Sequence, residues 1–316
     1  MKKTFYSNGK LLLTGEYVVL DGAKAIALPT KYGQFLDIEK VPEQIIRWQS
    51  YDADSTIWFE DQISFDSIRN KENFGSQAGI KNTLIEILYE AAQLNPDFLN
   101  SDTGYSVTTR LTFPRLWGLG TSSTLINNIA QWLQVDAYRL LESSFGGSGY
   151  DIACAQNNTP IIYQLTRFKR PTVTPLQLDL SFHQNLYFVY LNQKQSSKSA
   201  IMSYYDKQQR IDKMIPKIDA LTEAILVAND LYQFGSLINQ HESILSDILE
   251  METVKERFFN DFKGVLKSLG AWGGDFILAI APDDPTAYFK EKGFPIVIPY
   301  SETVSYTHLR AHETSL

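Results

Sequence analysis

Pro114-Arg-Leu-Trp-Gly118-Leu-Gly-Thr121-Ser-Ser-Thr124 joins two stretches of different period. Upstream, Tyr105, Val107, Thr109, Leu111 and Phe113 alternate as in a half-buried strand, and downstream Leu125, Ile129, Trp132 and Leu133 share one helical face. A strand, a glycine loop and a helix in that order can hold phosphate. Gly118 and Gly120 let the backbone approach an anion, and the helix start offers unpaired N–H groups with a favourable dipole. The hydroxyls of Thr121, Ser122 and Ser123 add donors, and one of them is a candidate Mg²⁺ ligand. A plain strand-to-helix turn with serine caps uses the same residues and needs no ligand. The loop has neither the Gly-Lys-Ser/Thr of a Walker A loop nor the Gly-x-Gly-x-x-Gly spacing of a dinucleotide site.

Outward from the loop, the first 66 residues read mostly as strands. Lys10-Leu-Leu-Leu13 follows the turn signal Asn8-Gly9, Val18-Val-Leu20 precedes Asp21-Gly22, and Ile45 to Trp48 and Ile57 to Phe59 are short apolar runs. Ile80, Leu84, Ile87, Leu88 and Ala91 predict a helix over 80–94, closed by Pro96. After Gly146-Gly-Ser-Gly-Tyr-Asp151, strands are predicted at 160–165, 186–191 and 276–281, with 197–269 mainly helical. No internal repeat or low-complexity tract interrupts this α+β pattern.

At 316 residues, 44% apolar and 21% charged, the chain is long enough for one large domain or two lobes with a cleft. Its net charge of -7 argues against non-specific nucleic-acid binding, so an anionic substrate needs local cations. No apolar run reaches membrane-span length and Met1-Lys2-Lys3 does not open a signal peptide, so a cytoplasmic protein is expected. A single cysteine, Cys154, excludes an intramolecular disulfide and reads as small core filler. Four histidines, two of them His308 and His312 near the end, make a histidine-based hydrolase or three-histidine metal site a poor reading. Residues 305–316 share neither pattern nor composition with what precedes them and read as a non-native tail.

Three segments in order resemble the motifs of the GHMP kinases, the group of galactokinase, homoserine kinase, mevalonate kinase and phosphomevalonate kinase. They are Gly9-Lys-Leu-Leu-Leu-Thr-Gly-Glu-Tyr-Val-Val-Leu-Asp-Gly22, the loop from Pro114 to Ser123 with Thr121 where serine is usual, and Gly270-Ala-Trp-Gly-Gly-Asp275 with Trp272 interrupting the glycine run. The resemblance implies a two-lobed α+β fold. A ribosomal-S5-like ATP-binding domain over 1–165 would precede a ferredoxin-like domain with extra helices over 166–304.

It also implies roles. Asp151, in Ser148-Gly-Tyr-Asp151, lies where mevalonate and phosphomevalonate kinases carry the aspartate that takes the acceptor's proton, and Lys10 is the matching cation. ATP would lie on Gly118, Leu119, Gly120, Thr121, Ser122 and Ser123, with Mg²⁺ on Ser122 and Glu142. Glu16, Tyr17, Ser148, Gly273 and Gly274 are expected on the substrate side, as are Lys194, Ser197 and Lys198 of the loop Asn192 to Ser199. The implied acceptor is a small anion, phosphomevalonate or mevalonate, held between the lobes. A diphosphomevalonate decarboxylase-like lyase and a non-catalytic binding protein on the same scaffold stay open, as does assembly into a homodimer.

Overall fold

The computed structural model describes residues 2–178, 180–193, 204 and 211–305. In chain order the strands are β1 (Lys3–Leu12), β2 (Ala25–Val41), β3 (Ile45–Tyr51), β4 (Ile57–Ser64), β5 (Gly104–Leu111), β6 (Ile161–Leu165), β7 (Pro171–Pro175), β8 (Leu186–Tyr190), β9 (Val265–Leu269), β10 (Phe276–Ile280) and β11 (Val297–Pro299). The helices used below are α1 (Phe65–Arg69), α2 (Gly79–Leu94), α3 (Thr121–Leu133), α4 (Ala137–Ser144), α5 (Tyr150–Gln156), α6 (Ile211–Leu226), α7 (Leu231–Leu249) and α8 (Val254–Phe258). The chain divides into two compact units, Met1–Lys10 with Tyr32–Gln156 and Leu11–Lys31 with Asn157–Leu316. The units interleave along the chain, where the sequence reading places a single boundary at 165/166.

In the first unit β5 pairs antiparallel with β2, from Gln34↔Leu111 to Val41↔Gly104, and parallel with β3, which pairs antiparallel with β4. Helical spacing on α2 points Leu84, Ile87, Leu88 and Ala91 into one core with Leu36, Trp48 and Val107 of the sheet and Ile126 and Ile129 of α3. Each large aliphatic side chain so buried contributes about 1.5–3 kcal/mol, which is what fixes α3 and the loop ahead of it.

In the second unit β8, β9, β10 and β11 form an antiparallel sheet in the order β11-β8-β10-β9. The first residues of β2 pair with β6, and β6 pairs with β7. Asp230 caps α7 by accepting from the N–H groups of Tyr232 and Gln233, and a Thr253/Glu256 capping box starts α8.

The structure corrects three local expectations. Asn8-Gly9 makes no turn but runs through the middle of β1. Its partner explains this: Gly33 of β2 lies so close that a Cβ there would meet Ser7 O at 2.2 Å, an approach that only glycine allows. Val18 to Asp21 form a 3-10 turn, not a strand, with Gly22 as its left-handed cap at φ 90°. Residues 265–269, expected in a helical region, are the strand β9, which is buried along its length apart from the half-buried Val265. The long strand β2 lies within the first 66 residues, read mostly as strands, but Pro29 and Gly33 interrupt it and leave no clean alternation by which to mark it as one element.

Candidate active site

Three elements of the first unit converge. β5 runs into the loop, where Gly118 has φ 69° and Gly120 has φ 98°, backbone conformations that L side chains rarely adopt. Gly120 is the N-cap of α3 and brings no side chain to cap it, so the N–H groups of the first turn are left for an incoming acceptor. The helix is held from beneath by buried polar groups. Ser7 Oγ donates to Asn128 Oδ1 at 2.8 Å, Asn127 Nδ2 donates to Ser7 Oγ at 2.8 Å, and Asn128 Nδ2 donates to Gln34 O at 2.9 Å. Thr124 Oγ1 donates to Gln34 Oε1 at 2.9 Å. A network satisfied in this way fixes one position, because shifting α3 would strand several buried donors.

The three predicted hydroxyls differ in their surroundings. Ser123 is buried and its Oγ donates to Gly120 O at 3.0 Å, whereas Thr121 is half-buried and Ser122 is exposed. Leu119 is buried in the loop.

Lys10 is bound to this loop twice. Its backbone N–H donates to Leu119 O at 2.9 Å and its Nζ donates to Gly118 O at 3.2 Å. The same ammonium lies 5.8 Å from the centroid of the Tyr150 ring. Tyr150 starts α5 after Gly146, Gly147 and Gly149, all with positive φ, and Asp151 follows in the first turn with Oδ1 accepting from Ile152 N–H at 3.0 Å. Ser148 is half-buried just ahead of the helix. Burial raises the Asp151 carboxyl above its ordinary value, and the Lys10 ammonium opposes that rise. Cys154, one turn on, is fully buried, and burial pushes its thiol up, as suits core filler rather than a nucleophile.

Lys10, residues 118–123, Tyr150 and Asp151 therefore form one constellation. Glu142 is exposed on α4, and its carboxylate pairs with no cation among the described residues. Lys194, Ser197 and Lys198 lie outside the described residues.

The other expected substrate-side residues are in the second unit. Glu16 is buried with 1% of its surface exposed, and its Oε1 accepts from Lys267 Nζ at 2.6 Å. Lys267, itself fully buried, also donates to Glu242 Oε2 at 3.3 Å and to Ser268 O at 2.9 Å, while Glu242 Oε1 accepts from Ser268 N–H at 3.0 Å. His241 Nε2 accepts from Gly15 N–H at 3.0 Å, so that nitrogen carries no proton for Glu16 Oε2, which lies 4.0 Å away. Glu16 Oε2 is left without a hydrogen-bond partner. Burial pushes Glu16 up to about 7 despite Lys267, and burial together with the Lys267 charge holds His241 well below its ordinary value, hence neutral.

Tyr17 Oη accepts from Trp272 N–H at 2.6 Å, and Trp272 Nε1 donates to Glu252 O at 2.9 Å. Gly273, at φ 64°, and Gly274, whose N–H donates to Ala271 O at 2.9 Å, make the tight turn that follows. Trp272 packs in a core with Tyr17, Tyr204, Ile218 and Leu245.

The ionic cluster was readable in part. Lys267 is a charge inside an apolar strand-like run, and His241 and Glu242 fall on the apolar stripe of α7 between Ile238 and Leu245.

No protein-family model matches the chain, and no curated protein matches it in sequence. Solved structures do match. Methanococcus jannaschii mevalonate kinase aligns with a TM-score of 0.70 at 17% identity, over 98% of this chain and 99% of that one. Streptococcus pneumoniae phosphomevalonate kinase in complex with phosphomevalonate and AMPPNP aligns with a TM-score of 0.64 at 16% identity, over 92% and 95%. Lactococcus lactis galactokinase complexed with galactose aligns with a TM-score of 0.64 at 13% identity, over 96% and 95%.

The chain has the GHMP kinase fold. Identities this low establish the fold alone. Within it, the first unit brings together a glycine loop, a lysine bonded to that loop and a carboxylate in the first turn of α5. Among the described residues, no helix is long and apolar enough to cross a membrane.

Proposed function

We propose that this protein is an ATP-dependent small-molecule kinase that transfers a γ-phosphoryl group to a hydroxyl or phosphate acceptor, with mevalonate or phosphomevalonate as the acceptor. The observation that carries the reading is Lys10, whose ammonium bonds to Gly118 O at 3.2 Å and faces the Tyr150-Asp151 helix start. It ties a phosphate-type loop to a carboxylate. The ligands of two structures that share the fold, AMPPNP and phosphomevalonate in one and galactose in the other, are of the classes that such a site takes.

The loop fits a polyphosphate because the first turn of α3 has no side-chain cap and its free N–H groups sit at the positive end of the helix dipole. Ser122, the exposed hydroxyl of the loop, would be the loop's ligand to Mg²⁺, with the exposed Glu142 as the accompanying carboxylate. An ion that keeps waters and phosphate oxygens needs no more protein than that. Bound Mg²⁺-ATP supplies the activated γ-phosphoryl group.

The remaining work falls to the chain. Asp151 orients an acceptor hydroxyl and takes its proton as the new O–P bond forms and the bond to ADP breaks. Burial makes that carboxylate more basic, while Lys10 favours its ionised form and stabilises the charge that develops on the transferring group. With a phosphate acceptor the attacking oxygen is already ionised and needs no base, so the proton-accepting role of Asp151 belongs to an alcohol acceptor.

The test is ADP release with Mg²⁺-ATP against mevalonate, phosphomevalonate, diphosphomevalonate, homoserine and galactose, in wild type and Asp151→Asn. Expected is turnover of one mevalonate-series compound, a phosphorylated product by mass, and a loss of about 10²–10⁴-fold in the variant for an alcohol acceptor. CO₂ release would mark decarboxylase chemistry instead. No ADP from any acceptor would defeat the kinase reading.

A further inference from the structure

The turn between β6 and β7 carries three cations, Arg167, Lys169 and Arg170. The strands pair from Ile161↔Pro175 to Leu165↔Pro171. The turn is closed by Thr166 N–H to Arg170 O at 2.9 Å, Lys169 N–H to Thr166 O at 2.9 Å and Arg170 N–H to Thr166 Oγ1 at 3.1 Å. Lys169 occupies the left-handed region at φ 55°, a position that glycine or asparagine would fill at lower cost.

At the base of this turn is a cavity of about 460 Å³, walled by Asp21, Gly22, Gln164, Thr166, Arg167 and Lys169. Its volume falls within the range of small-ligand sites, and its wall mixes polar and apolar surface. Gln164 Nε2 donates to Gly22 O at 2.8 Å and Lys169 Nζ donates to Leu20 O, so both are drawn to this wall by neutral carbonyls. Asp21 Oδ2 accepts from the Tyr204 hydroxyl at 2.6 Å.

Several cations of this chain pair with carboxylates, among them Arg47 with Glu43, Arg69 with Asp66, Lys71 with Glu86 and Glu90, and Lys292 with Asp261. Arg167, Lys169 and Arg170 form no ion pair among the described residues, on a protein of net charge -7. Three like charges on one short turn repel one another unless an anion joins them.

We propose that the β6–β7 turn and the cavity at its base bind a small polyanion, a phosphorylated metabolite with a hydroxyl or ammonium group, at a site of its own. Arg167 and Lys169 hold the phosphate, Arg167 as a two-pronged donor, and Asp21 accepts from the hydroxyl or ammonium. The glycine loop belongs to the other compact unit, so this site shares no residue with the proposed ATP site.

The experiment is isothermal titration of inorganic pyrophosphate into the full chain at low ionic strength, in four proteins. These are wild type, Arg167→Ser/Lys169→Asn, the glycine-loop variant Gly120→Ala, and the control Lys263→Ser/Lys290→Ser, which removes two exposed cations elsewhere. Asparagine at 169 keeps the left-handed turn, and near-UV circular dichroism checks that the hairpin variant keeps its fold. Expected is pyrophosphate binding that persists in Gly120→Ala and in the control but weakens at least about tenfold in the hairpin variant. Equal binding in the hairpin variant, an equal loss in the control, or no binding in wild type or in Gly120→Ala would each overturn the assignment.

Discussion

Glu16→Gln separates two roles for the glutamate of the first motif. In the structure Glu16 is not open to a ligand but 1% exposed, with one oxygen on Lys267 and the other unpartnered. Its carboxyl sits at about 7 against an ordinary 4.5, because burial outweighs the attraction of Lys267. The folded state thus holds this proton more tightly than the unfolded chain does. Glu16 favours folding most below the unfolded value, and that contribution is lost as pH rises from 4.5 to about 7. At about 1.4 kcal/mol for each pH unit, the loss is roughly 3 kcal/mol and is complete above neutrality. Glutamine has the same shape, can accept from Lys267 and does not titrate. Urea unfolding of both proteins from about pH 5 to about pH 8 isolates the effect, since the other carboxylates cancel in the difference. For a slope of about 3 kcal/mol per molar, the midpoint gap should change by about 1 M across that range. Parallel pH profiles would refute the argument, and parallel profiles with a raised KM for the acceptor would return Glu16 to the substrate side.

Two further variants probe the constellation around the glycine loop. Lys10→Met removes the charge that opposes the upward shift of Asp151, so the acid limb of the kcat/KM profile should move to higher pH and the plateau should fall by about 10²–10³-fold; an unmoved limb would separate the two residues. In Gly120→Ala the new Cβ meets Ser123 Oγ at 2.7 Å and Lys10 Cγ at 3.3 Å, at a φ of +98°. That strain is of order 1–3 kcal/mol, and titration with a fluorescent ATP analogue should show affinity at least about tenfold weaker with the far-UV spectrum unchanged. Unaltered affinity would show that the loop tolerates a side chain and does not need this backbone.

The parts of the fold legible in the sequence were those in which one face is buried at a regular period. The predicted helix over 80–94 matches α2, and the strand-loop-helix around Gly118 to Ser123 matches β5 and α3, because half-buried elements write their burial pattern into the residues. β9 was opaque because Leu266, Lys267, Ser268 and Leu269 are all buried, so no alternation survives and a lysine inside the run hides the strand. β2 was opaque for the opposite reason, since its glycine serves a close backbone approach and its proline breaks the pattern. Asn8-Gly9 misled because a dipeptide that favours a hairpin turn is overridden when its glycine-lined partner strand pulls it into pairing. Spacing alone could not show that Asn127 and Asn128 lie beneath the loop, as their value lies in partners more than ninety residues away in sequence.

The first motif is one run of sequence but two pieces of physics. Lys10 belongs to the first compact unit, bonded to the glycine loop, whereas Glu16 and Tyr17 belong to the second. There Glu16 accepts a hydrogen bond from Lys267, and Tyr17 accepts from the backbone of Trp272. This division changes what the departures from the family pattern mean. Trp272, which interrupts the glycine run of the third motif, is 4% exposed and packs against the Tyr17 cluster, with its indole N–H satisfied by Glu252 O. A large residue there fills a core in the second unit and takes nothing from the constellation of Lys10, Gly118 to Ser123 and Asp151 in the first. Thr121, the other departure, keeps a hydroxyl and simply begins α3. Neither substitution therefore removes a group that phosphoryl transfer requires, and the case for a degenerate, non-catalytic site loses the two residues on which it stood.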